Sequence, residues 1–176
     1  MALPMLREQC DFKVRSTGEP IDMQGFCRHV CANGGESVLK EIYAHASEVI
    51  SNVYQHAPRS EGNIVEWFFD CRVIGNYFQV AIEDDGIGLF ESLKISHGSK
   101  LPLEKLLQPS IKSLAHRGMG LSALLRDFDE GRVSSAMFQS PAGTVKLGSP
   151  NLNSVPLSIA QGTRVVFTVP LWVRSV

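Results

Sequence analysis

Residues 77–89 read YFQVAIEDDGIGL. Aromatic and β-branched positions carry this stretch as a strand through Ile82, and Gly75-Asn76 before it marks a turn. It is therefore the returning arm of a hairpin whose first arm is NIVEWFFDCRV, residues 63–73. Glu83, Asp84 and Asp85 close the strand, and Gly86 and Gly88 follow with only Ile87 between them. A carboxylate at such a strand end can accept a hydrogen bond from an exocyclic amine such as N6 of adenine. The glycines let the main chain turn sharply and let a flat ring come close. An acidic turn after a strand is common, so D-x-G-x-G alone is not specific.

Upstream lies ESVLKEIYAHASEVISNVYQHA, residues 36–57, with Val38, Leu39, Ile42, Ala46, Val49, Ile50 and Val53 at helical spacing. The pattern predicts a long helix stopped by Pro58. Glu48, Asn52 and His56 recur every fourth residue, so they share one face over roughly 12 Å, beside the apolar stripe. A Glu there can serve as general base on a water or hydroxyl, and an Asn offers a hard oxygen to Mg²⁺. The bland alternative for each is a solvated helix face. Before this helix, residues 11–16 suggest a first strand. A short helix is expected from Asp22 to about Ala32, ended by Asn33-Gly34-Gly35.

Downstream, residues 89–117 mix Ser, Lys, Pro and His with Leu, a length and composition expected of a lid or binding loop. HRGMGLSAL, residues 116–124, places Gly118 and Gly120 where a helix opens. Free main-chain N–H groups and the helix dipole favour phosphate there, with positive charge added by Arg117 and His116. GMGLSA also fits a dinucleotide fingerprint, but no apolar strand precedes it and no acidic residue closes the next strand. RVSSAMFQS and GTVKLG read as a hairpin over Pro141-Ala142-Gly143, residues 149–161 as loop, and GTRVVFTVPLWV as a last strand. The implied fold is α+β: one domain over residues 1–176, a two-layer sandwich with a mixed, mostly antiparallel sheet covered on one face by helices.

Composition narrows the function. The chain has 176 residues, of which 44% are hydrophobic, enough for its own core. A net charge of −1 and a pI near 6.5 argue against a basic grip on nucleic acid or anionic lipid. No apolar run reaches membrane-spanning length and MALPMLREQCDF is not a secretory signal, so a cytoplasmic protein is expected. Cys10, Cys27, Cys31 and Cys71 lack disulfide spacing, and buried free thiols are a better reading than a zinc site. There is no P-loop, no H-E-x-x-H, and GLSAL lacks the second glycine of a nucleophile elbow.

Taken together and in this order, EVISNVYQHA, EDDGIGL, RGMGLSAL and GTRVVFTVPL resemble the N box, the D-x-G-x-G motif, the second glycine motif and the last G-T strand of the GHKL ATP-binding superfamily. That superfamily includes gyrase, ATP-dependent chaperones, histidine kinases and mismatch-repair ATPases. The likeness spans residues from about 36 to 170, and the form E-x-x-x-N-x-x-x-H is similar to the small anti-sigma-factor kinases. The resemblance implies ATP and Mg²⁺ as ligands. Asp84 would take the adenine amine, supported by Thr163, while Gly86 and Gly88 open space for the base. Asn52 would bind Mg²⁺ and Glu48 would be the general base. Gly118, Gly120 and Leu121 would lie at the phosphates, with Arg117 placed there on charge alone. Asp85 fills a variable position and is given no role. Only 35 residues precede the long helix, so the helical hairpin of a complete sensor kinase, on the order of 60 residues, is not expected. Nor is the second domain of the gyrase type. What remains is a stand-alone serine/threonine kinase or partner-switching regulator with a protein partner, or else a nucleotide-gated interaction module or slow ATPase. The stretch 140–161 is longer than expected in the small kinases.

Overall fold

The computed structural model describes residues 13–58, 60–92, 119–148 and 161–171. Strand β1 (Lys13–Ser16) leads into helix α1 (Met23–His56). The hairpin β2 (Glu66–Ile74) and β3 (Tyr77–Asp84) follows. Helix α2 (Met119–Asp129), the hairpin β4 (Ser135–Ser140) and β5 (Gly143–Leu147), and strand β6 (Thr163–Pro170) complete the order. The expected segments at 93–117 and 149–160, together with Cys10, Arg117 and Gly118, lie outside the described residues.

The six strands form one sheet in the order β1-β2-β3-β6-β4-β5, and every pairing is antiparallel. The mixed sheet allowed by the sequence is thus antiparallel throughout the described residues. Each hairpin has the turn its residues specify: Gly75 takes a φ of 58° between β2 and β3, and Pro141-Ala142 separates β4 from β5. The last strand inserts between the two hairpins, placing β3 and β6 at the centre.

Helix α1 is two limbs rather than one rod. Gly35 has φ 81° and ψ 172°, a non-helical conformation inside the helix. On a straight helix Phe26 and Tyr43 would lie about 25 Å apart at 1.5 Å per residue. Their ring centroids are 6.2 Å apart, so the chain doubles back between them. Residues 23–34 and 36–56 therefore match the short and long helices read from the sequence, except that Asn33 and Gly34 remain helical. A Cβ on Gly34 would come within 2.5 Å of the Phe78 ring, so the bend sits against the start of β3. Asp22 caps the first limb by accepting the Gly25 N–H at 2.7 Å.

The main core lies between the helices and one sheet face. Ile42, Ala46, Val49, Ile50 and Val53 meet Trp67, Phe69, Phe78, Val80, Ile82, Phe138, Val165 and Phe167. This stripe is the one the helical periodicity picked out, with Leu39 only partly buried. The second sheet face is also buried, and it is largely polar. Asp70, Gln79, Glu83, Ser135, Gln139, Arg164 and Thr168 are buried there around a small cluster of Ala81, Met137 and Val166. Arg164 Nε donates to Glu83 Oε2 at 2.6 Å and its NH1 donates to Gln139 Oε1 at 3.1 Å. Cys71 is buried, whereas Cys27 and Cys31 are only half-buried, and all three are free thiols. Among the described residues no helix is long and apolar enough to cross a membrane.

The Gly35 conformation is nearly exclusive to glycine. Gly35→Ala is expected to lower stability by roughly 1–3 kcal/mol, read as a lower urea midpoint at unchanged slope. An unchanged midpoint would show that the reversal does not depend on that backbone geometry.

Candidate functional site

Asp84 is the last residue of β3, between Trp67 of β2 and Thr163 of β6. Its side chain shares parity with Phe78, Val80 and Ile82, so it lies on the helix-covered face and is 3% exposed. Oδ1 accepts the Gly86 N–H at 2.9 Å and the Thr163 N–H at 3.3 Å. No cationic side chain among the described residues pairs with it. Burial pushes the carboxyl from an ordinary 3.8 up to about 6, and the Asp85 charge adds to the rise. The Gly86 and Thr163 bonds pull the other way.

Three glycines surround this carboxylate, each where a Cβ would collide with main chain. On Gly86 it would lie 2.5 Å from the Ala57 carbonyl oxygen. On Gly88, at φ 89°, it would lie 2.9 Å from the Gly162 carbonyl oxygen. On Gly162, at φ 77°, it would lie 1.8 Å from the Asp84 carbonyl oxygen. Gly162 was read in the sequence only as the lead into a strand, and its role at Asp84 arises from the crossing of β3 and β6. Asp85 is a turn lock: its carboxylate accepts the Glu66 N–H at 2.9 Å, and its own N–H donates to Glu66 O at 3.1 Å.

The C-terminal end of α1 meets this turn. Ile87 N–H donates to Ala57 O at 3.0 Å. Counting back along the helix, Asn52 and Glu48 stand roughly 8 and 14 Å from that contact. Their side is set by their neighbours. Tyr54 OH donates to Ser16 O at 3.2 Å and accepts from Trp67 Nε1 at 3.4 Å, so Tyr54 faces β1 and β2. Asn52 is about 200° around the helix from Tyr54 at 100° per residue, and so it faces β6 and α2. Glu48 and Asn52 are half-buried, and neither side chain has a polar partner among the described residues. His56 is exposed at the same end.

Helix α2 reaches this end of the sheet from the other direction. Its C-terminal end is tied to β6 by the Ser134 N–H bond to Thr168 O at 2.8 Å, far along the strand from Thr163. It therefore runs antiparallel to the second limb of α1. His45 Nε2 and Asp127 Oδ2, 2.8 Å apart, join the two helices. Met119 lies about 12 Å back along α2 from Asp127, and Asn52 about 11 Å forward along α1 from His45. The first turn of α2, with Gly120 and Leu121, is thus level with Asn52. Nothing in the sequence singles out His45.

Burial holds the His45 imidazole below its ordinary range against the pull of Asp127, so the ring is neutral at neutral pH and Nε2–H donates. Burial pushes the Asp127 carboxyl up, but hydrogen bonding and charge from Arg132 and His45 more than offset this and keep it below the usual carboxylate range. The two shifts treat His45 differently, and the buried neutral imidazole is the state consistent with a bare Nδ1 in the core.

The structure therefore brings Asp84, Gly86, Gly88 and Thr163 into one cluster, with Asn52 and the opening of α2 at the same end of the molecule. Glu48 stands a turn further off. No family model, curated protein or solved structure matches the chain.

The raised Asp84 value has a definite sign. A carboxyl whose folded pKa exceeds its unfolded one stabilises the fold fully below about 3.8 and loses that contribution as pH climbs through about 6. At about 1.4 kcal/mol per unit the swing is roughly 3 kcal/mol. Urea unfolding from pH 4 to 8 should show the stability of Asp84→Asn gaining on the native protein by up to that amount. Parallel pH profiles for the two proteins would overturn the assignment.

Proposed function

We propose that the chain is a GHKL-type domain that binds ATP and Mg²⁺ and acts as a protein serine/threonine kinase or partner-switching regulator. The observation that carries this is Asp84: a carboxylate almost wholly withdrawn from water, with no cationic partner among the described residues, at a strand end packed through glycines. A fold keeps such a group at a cost to stability when an incoming donor needs it. An adenine amine is such a donor, while Gly86 and Gly88 let the Ala57 and Gly162 main chain close in around the carboxylate.

The remaining residues suit a triphosphate. In this reading Mg²⁺ would be held by the Asn52 amide oxygen together with the phosphates. Under the same reading the first turn of α2, with Gly120 and Leu121, would present main-chain N–H groups to the phosphates, joined by Gly118 and the charge of Arg117 from the segment before it. Bound ATP–Mg²⁺ would supply the phosphoryl group. In this reading Glu48 takes the proton from the partner's Ser or Thr hydroxyl, its half-buried carboxylate having no polar partner among the described residues. Thr163 holds Asp84 in its accepting orientation.

Calorimetric titration with ATP–Mg²⁺ tests the binding. The native protein should bind, and Asp84→Asn should lose binding with its fold intact. Equal affinity in the two proteins would remove Asp84 from recognition. Labelled ATP with candidate partners tests the output. Transfer to a partner that is lost in Glu48→Ala, while binding persists, is the expected result. Phosphate release alone would make the protein an ATPase, and binding with neither would make it a nucleotide-gated module.

A further inference from the structure

We propose that His45 is a positioning residue: its bond to Asp127 sets the register of α2 against α1 and so holds the phosphate-facing start of α2 level with Asn52. This rests on the nucleotide-binding reading above. Among the described residues, the core around this pair is otherwise apolar, with Ile42, Ala46, Val49, Leu124 and Phe128. Apolar packing is non-directional and tolerates sliding. A hydrogen bond is short-ranged and directional. A slip of one helical turn moves α2 by about 5.4 Å and would leave the Nε2–H of a residue 4% exposed with no acceptor.

Both partners are constrained so that only one register satisfies them. The His45 ring lies edge-on to Phe167, with centroids 6.0 Å apart and planes at 78°. Its Nδ1 is buried with no hydrogen-bond partner, so the ring has a single useful donor and a fixed direction. Asp127 presents Oδ2 to His45 while its Oδ1 is held by Arg132 and by Arg126 Nε, the latter at 3.4 Å. Arg132 is itself paired with Glu130, and its N–H and that of Val133 bond back to Asp127 O at 2.8 and 3.0 Å. The carboxylate is therefore anchored at the end of α2. A polar tie in a helix seam that is otherwise apolar among the described residues is the arrangement by which buried polar residues specify register rather than add stability.

The test uses His45→Leu, which removes the donor, and His45→Gln, which keeps an N–H near the position of Nε2. Affinities for ATP–Mg²⁺ and for adenosine are measured on each. The expected result is about tenfold weaker ATP binding in His45→Leu, with adenosine affinity unchanged because Asp84 is untouched, and recovery of ATP binding in His45→Gln. Equal losses for both ligands, or no loss of ATP affinity, would overturn the proposal. Hydrogen exchange of the α2 amides without nucleotide separates this idea from the functional reading. Faster exchange across 119–129 in His45→Leu, restored in His45→Gln, supports the register role even if the native protein binds neither ligand. Unchanged exchange would overturn it.

Discussion

Asp84, a carboxylate held out of water with no cationic partner among the described residues, is the constraint around which this molecule is arranged. Asp84 is retained at the end of the central strand by two main-chain N–H groups. Those donors come from opposite directions along the chain: Gly86 lies just beyond β3, and Thr163 opens β6. To deliver both, the two segments pass so close that Gly162 has no room for a Cβ against Asp84 O. The end of α1 closes the third side on Gly86. Three parts of the chain thus meet at one acceptor, and glycine is the residue that lets them.

The sheet beyond this point keeps the meeting in place. Glu83 and Arg164 form a buried ion pair on the second face, one residue along from the Asp84 and Thr163 pairing. Such pairs seldom add net stability, because desolvation offsets most of the attraction. Their effect is directional: the charges tie β3 to β6 in one register at the strand ends that hold the site. Ser135 and Thr168, 2.7 Å apart on the same face, do the same between β4 and β6 at the far end. Two faces with different chemistry result, one apolar beneath the helices and one of buried polar cross-strand pairs.

Local chemistry made much of this legible before any coordinates. The bend at Gly34-Gly35, the turns at Gly75-Asn76 and Pro141-Ala142, the apolar stripe from Val38 to Val53 and the strands they separate all follow from periodicity and turn residues a few positions apart. The acidic close of β3 beside two glycines also drew the eye to Asp84 from sequence alone. Such patterns are readable because the interactions that produce them span one turn of helix or one hairpin.

Other features needed the chain to be folded. Asp84 and Asp85 are identical side chains one residue apart, yet one is buried as an acceptor and the other staples the neighbouring strand. Asp84 still follows the pleat of β3, while Asp85 lies just past the strand and turns to Glu66, and only the folded sheet decides this. That Asn52 faces α2 rather than β1 depends on Tyr54 finding Ser16, which lies far back in the chain. His45 finds Asp127 across an even longer separation. The burial of Glu83, Arg164 and Gln139 has no signal in an alternating strand, where polar residues read as a wet face. The sequence by itself determined the elements, their order and the acidic, glycine-cleared strand end. The tertiary structure alone decided which groups oppose one another there, because contacts between distant segments depend on register and burial that no local pattern encodes.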